Sequence, residues 1–200
     1  MQYILILTVT LLLSSCSKGQ PSIDYGALTT YSTDGHLQMV VEIPAGTNKK
    51  FEYNYESRTF PADIKNGNDR VISFLPYPGN YGFIPSTKMD RDRGGDGDAL
   101  DILLLSEHLP TGTIIEVLPI GIIVLQDSGE NDSKIIAIPI DKRLRVLDIK
   151  NYEQLHSEFF DIKNLIQLWF LGYKRSNSVQ LIEWRNETAA NAEIDKWRLK

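Results

Sequence analysis

The stretch Asp90-Arg-Asp92-Arg-Gly-Gly-Asp96-Gly-Asp98-Ala-Leu-Asp101 sets five carboxylates in twelve positions and runs straight into Ile102-Leu-Leu-Leu105. An apolar quartet of this kind is driven into a core, whereas carboxylates crowded this closely repel one another and cannot all stay ionised without cations. The fold must therefore hold an acidic rim directly over a buried strand. Oxygen donors of high charge, with neither Cys nor His among them, suit hard divalent ions such as Mg2+, Mn2+ or Ca2+.

The amino terminus carries a separate signal. Residues Ile4 to Leu13 are apolar except for Thr8 and Thr10, too short a run for a bilayer, which needs about 20 apolar residues. The run ends in Leu13-Ser14-Ser15-Cys16, and Cys16 is the only cysteine. This resembles a bacterial lipobox, although Met1-Gln2-Tyr3 lacks the Lys or Arg expected ahead of such a run. It predicts a signal peptide over residues 1–15, lipid on Cys16 that reaches the membrane, and a flexible tether over residues 16–35. The whole would be a membrane-anchored lipoprotein outside the cytoplasm. Residues 36–200 then make one domain, long enough to fold on its core without a disulfide. A net charge of −5 argues against nucleic acid as a partner, because phosphate backbones demand basic patches.

Within that domain the front reads as short strands: Leu37 to Ile43, Lys50 to Tyr55, Arg70 to Leu75, Ile102 to Leu105, Ile114 to Leu118, Gly121 to Leu125 and Ile135 to Ile138. Short apolar runs bounded by Pro, Gly or Asp favour strands, and several at close spacing suggest a small barrel. The period then changes. Tyr152, Leu155, Phe159, Ile162, Ile166 and Phe170 recur every three or four residues, which predicts a helix from Asn151 through Tyr173. A second helix is expected from Asn186, as N-cap, to Trp197, and the three tryptophans Trp169, Trp184 and Trp197 read as packing residues. The fold class is α+β, a β-barrel with helices packed against it.

Three readings of the acidic run compete. A solvated loop is the usual fate of clustered charge, yet Asp101 must sit at the rim of the core, where an unpartnered carboxylate is costly. A calcium loop counted from Asp90 has acidic residues at its positions 1, 3, 7, 9 and 12 and Gly at 6. It fails at Gly94, at Gly97 and at the short Asp101, and its flanks are not helical. The third is a multi-metal site for phosphoryl chemistry: Asp96 and Asp98 lie two apart and face the same way in extended chain, and Asp101 closes the set from the strand.

Gly95-Asp-Gly-Asp-Ala-Leu-Asp101 followed by an apolar strand resembles the signature of family I soluble inorganic pyrophosphatases. Val41-Glu42-Ile43-Pro44-Ala45, Lys50-Phe51-Glu52, Tyr77-Pro-Gly-Asn-Tyr81-Gly-Phe-Ile-Pro85, Asp127 to Lys134 and Tyr173-Lys174 follow in the family's order. The resemblance covers about Gln38 to Lys200 and implies an OB-like five-stranded barrel with flanking helices, active on inorganic pyrophosphate with Mg2+, with Mn2+ as an acceptable substitute and Ca2+ inhibitory. It also leaves a homo-oligomer open, since the family forms dimers or hexamers. The alternative of another class is a non-catalytic calcium-binding lipoprotein.

By that resemblance Asp96, Asp101 and Asp132 ligate a metal pair, Asp127 with Asp132 holds a further ion, and Glu42 and Glu52 act on metal-bound waters. Asp98 deprotonates or orients the attacking water. Lys50, Arg70, Tyr81, Lys134, Tyr173 and Lys174 bind phosphate oxygens, Arg70 with two donors at once. Arg70 lies one residue nearer Tyr77 than the family usually has it, Ser128 replaces an acidic residue, Arg91 to Gly94 resembles a short insertion, and Asp90 and Asp92 read as surface.

Overall fold

A computed structural model of the chain describes residues 23–174 and 178–199. The elements run β1 (Leu37–Ile43), β2 (Ile64–Lys65), β3 (Asn68–Asp69), β4 (Asn80–Phe83), β5 (Asp101–Leu104), β6 (Ile114–Asp127), β7 (Glu130–Asn131) and β8 (Lys134–Pro139). After them come α1 (Tyr152–Ser157), α2 (Phe160–Gly172), β9 (Val179–Arg185) and α3 (Glu187–Trp197). β1 pairs antiparallel with β4 and β4 with β5, β5 runs parallel to β8, and β8 is antiparallel to β6. The front of β6 returns to β1, so five strands follow one another round a ring, and β9 joins the far half of β6. This is the α+β, OB-like arrangement expected. β1 and β4 lie so close that a Cβ on Gly82 would fall 1.9 Å from the Val40 carbonyl oxygen, which is why glycine stands there.

Alternation along the strands feeds two cores. Leu103, Ile136, Ile138 and Ile123 pack with Leu155, Ile166, Trp169 and Phe170 under α1 and α2. Their neighbours Ile102, Leu104, Ile135 and Ala137 pack with Ala190, Ile194 and Trp197 under α3. Because both faces of β5 and β8 are covered, these strands read as unbroken apolar runs. The α3 stripe falls at steps of four and three, and Asn186 caps the helix by accepting from the Ala189 N–H at 3.1 Å.

Several expectations change. Ile114 to Leu118 and Gly121 to Leu125 are one strand, β6, whose pairing with β8 slips between Pro119 and Gly121; proline and glycine mark a bulge, not an end. Lys50 to Tyr55 and Arg70 to Leu75 form only isolated bridges, such as Phe51 with Ala62 and Lys49 with Val71. β4 and β9 were not foreseen. The single helix is two, because Phe159, at φ −117° and ψ 38°, breaks it while keeping the apolar spacing. The tether ends earlier than residue 35: Tyr25 is buried, Thr30 Oγ1 donates to the Pro85 carbonyl at 3.0 Å, and Tyr31 bridges Leu37. Cys16 and the leader lie outside the described residues. The acidic run is flanked by β4 and β5, not by helices, which removes the calcium-loop alternative.

Candidate active site

The site begins with a register. Asp101 opens β5, Lys134 opens β8, and the two are partners in the parallel pair. Lys134 Nζ therefore reaches Asp101 Oδ2 at 2.5 Å and also donates to Asp132, two residues before it. Other segments converge on this point. Glu42 comes from β1, Lys50 and Glu52 from the bridged segment after it, Arg70 from just beyond β3, and Tyr81 from β4. Asp96 and Asp98 lie in the turn before β5, Asp127 ends β6, and Tyr173 and Lys174 follow α2. All of these predicted residues line one cleft of about 710 Å³; Cys16 alone cannot be located.

Local chemistry shapes the turn. Gly97 adopts φ +94°, its N–H donates to the Met89 carbonyl at 2.7 Å, and Asp96 Oδ1 accepts from the Asp98 N–H at 3.0 Å. A left-handed residue at this point favours glycine. Elsewhere in the cleft Lys174 bonds Asp127, and Lys50 bonds Glu52 near Asp98. Arg70 Nη1 donates to Asp63 at 2.9 Å.

Eight carboxylates and five cationic side chains line the cleft, so acid is in excess. Burial pushes the carboxyls of Asp96, Asp98 and Asp132 up, and the charge of Asp101 adds to each shift. Glu42 is pushed up to about 8 by burial, against the Tyr53 N–H that it accepts at 2.7 Å. Burial also works against the Asp127 carboxylate, but the hydrogen bonds from Lys174, Ser178 and Ser128 and the Lys174 charge together outweigh it and hold Asp127 below the usual range. Burial opposes the charge on Lys134 too, yet Asp101 and Asp132 keep its ammonium well above the ordinary lysine value. Tyr81 and Tyr173 are raised by burial and stay protonated donors at neutral pH.

This donor set fits hard divalent cations. The ligands are all oxygen, their charge is in excess, and an ammonium group already stands between Asp101 and Asp132 as counter-charge. With Lys134 drawn onto those two carboxylates, no three acidic or imidazole side chains among the described residues close on a single ion as they stand. Tyr77 in the lining of the cleft and Asp63 outside it escaped the sequence reading. Tyr77 lines the cleft and packs 5.3 Å from the Tyr81 ring; its place in the quoted Tyr77 to Tyr81 segment was the available signal. Asp63, which orders Arg70, has no such signal.

The inorganic pyrophosphatase family profile matches residues 39–200. An inorganic pyrophosphatase of Sulfolobus acidocaldarius is 35% identical over 167 residues, covering 79% of this chain and 87% of that protein. One from Pseudomonas aeruginosa is 38% identical over 167 residues, with 80% and 87% covered. The crystal structure of inorganic pyrophosphatase from Thermus thermophilus superposes with a TM-score of 0.72 at 30% identity, covering 86% of this chain and 95% of that one. These likenesses overturn the expected lipoprotein location outside the cytoplasm. The family match spans residues 39–200, and the apolar run and Cys16 precede it. No helix among the described residues is long and apolar enough to cross a membrane.

Proposed function

This chain belongs to the inorganic pyrophosphatase family, and on that premise we propose that it hydrolyses inorganic diphosphate to two phosphates with Mg2+, accepting Mn2+ and inhibited by Ca2+. The observation that carries the reading is the convergence of carboxylates, cations and phenols from eight separate segments on one cleft. When bound, the divalent cations lower the pKa of water and neutralise phosphate oxygens. Asp96, Asp101 and Asp132 would hold a metal pair, Asp127 with Asp132 would hold a further ion, and Glu42 and Glu52 would act on metal-bound waters.

The remaining residues act on the substrate. Arg70 offers a fork of N–H donors to two phosphate oxygens, while Lys50, Lys134 and Lys174 act as point charges. Tyr81 and Tyr173, held protonated, donate hydrogen bonds without adding charge. Asp98 deprotonates or orients the attacking water; burial and the charge of Asp101 raise its carboxyl. Water adds to one phosphorus, the bridging P–O bond breaks, and the second phosphate leaves.

The test is phosphate release from pyrophosphate with Mg2+, then with Ca2+ in its place. Turnover with Mg2+ that Ca2+ suppresses supports the reading, and no turnover with Mg2+ ends it. Asp98→Asn keeps the shape but not the basicity, so kcat is expected to fall by about 10²–10⁴ while metal binding persists. A wild-type rate in that variant would remove Asp98 from the reaction.

A further inference from the structure

We propose that segment 90–95 is a positioning brace that sets the separation between the two acidic loops, 96–101 and 127–132, and thereby the affinity of the site for divalent cations. The proposal takes from the pyrophosphatase reading only the assignment of these loops as metal-holding.

The segment is tied at three places. Asp90 caps a 3-10 turn over Arg91–Arg93, and Gly95 N–H closes back on the Asp90 carbonyl at 2.9 Å, so the segment is a compact knot. Toward the first loop, Arg91 lies over the turn: a Cβ on Gly97 would fall 2.6 Å from Arg91 Nε, leaving no room between guanidinium and backbone. Toward the second loop, the Asn131 N–H donates to the Gly94 carbonyl at 3.0 Å and Arg91 faces Glu130 at 3.4 Å. Behind both, Arg93 stacks 4.7 Å above the ring of the buried Trp197 and donates to the Lys196 carbonyl at 3.2 Å. Trp197 in turn donates to Glu193 at 2.6 Å. The chain runs without a gap from Gly97 through this segment to Asn131, next to Asp132, and is anchored on α3.

The ties differ in weight. The Arg91–Glu130 pair is mostly exposed, with 66% and 52% of the two side chains accessible, and such pairs contribute little. The Arg93 stack rests on a ring that is 1% exposed, and the Gly94–Asn131 bond is backbone to backbone, so these two set the geometry. Metal affinity depends on groups that hold ligands in place without touching the ion.

The experiment compares wild type with Arg93→Ala and the conservative Arg93→Lys, reading Mn2+ binding by titration calorimetry without substrate, and separately kcat at saturating Mg2+. Arg93→Ala is expected to weaken Mn2+ binding about tenfold, the low end for residues behind metal ligands, with kcat within about twofold and Arg93→Lys recovering most of the affinity. Amide exchange at Asn131 should quicken in Arg93→Ala while the β5 amides keep their protection. Unchanged Mn2+ affinity, or a fall in kcat with affinity intact, overturns the brace. Should Arg93→Ala unfold, Arg93→Gln takes its place under the same criteria. A wild-type protein that binds Mn2+ but releases no phosphate would refute the activity and leave the brace standing.

Discussion

The parallel pair β5–β8 contains two regions one residue apart that obey opposite rules. Ile102, Leu103 and Leu104 face Ile135, Ile136 and Ala137, all fully buried and all apolar. One step earlier the partners are Asp101 and Lys134, and Lys134, with 2% of its surface exposed, is as buried as the apolar residues beyond it. Below the rim, shape and apolar area decide stability. At the rim, charge balance decides it, because a buried ion costs several kcal/mol unless its partners are in place. The same backbone hydrogen-bond pattern thus carries an apolar floor and a charged edge.

Three substitutions sharpen or break that contrast. Lys134→Met leaves Asp101 and Asp132 facing each other without their counter-charge, so the protein in EDTA should lose about 3–5 kcal/mol. Urea unfolding measures it, and added Mg2+ should recover a large part of the loss. An equal loss with and without Mg2+ would erase the distinction between rim and floor. Leu103→Ala opens a cavity in the floor and should cost about 2–5 kcal/mol whether or not Mg2+ is present; a Mg2+-dependent cost would count against the contrast. Ile136→Val removes one methylene, for about 0.5–1.5 kcal/mol, and steady-state assays should find kcat unchanged.

What the sequence made legible follows the same boundary. Apolar runs such as Ile102–Leu104 and Ile135–Pro139, and the capped stripe of α3, announce themselves because local pattern and final burial agree. β4 and β9 did not: β4 is only Asn80 to Phe83, and β9 is half exposed along its length. The break at Phe159 was hidden because the residue keeps the helical spacing across it. In the site, the order of the acidic and basic segments was readable, and the cleft gathers all of them except Cys16. Asp63 beside Arg70 and the ties of segment 90–95 were not readable, since each depends on contacts between distant parts of the chain.

The return of β6 to β1 joins Leu37 to Val117, so the ring closes through residues synthesised far apart. Closure entropy of that kind slows folding, and the strands must wait for one another. Tyr173 and Lys174 arrive later still, after α2. A nascent chain therefore has no complete cleft until Lys174 has left the ribosome, and Asp127 meets its lysine only after every acidic loop has been made.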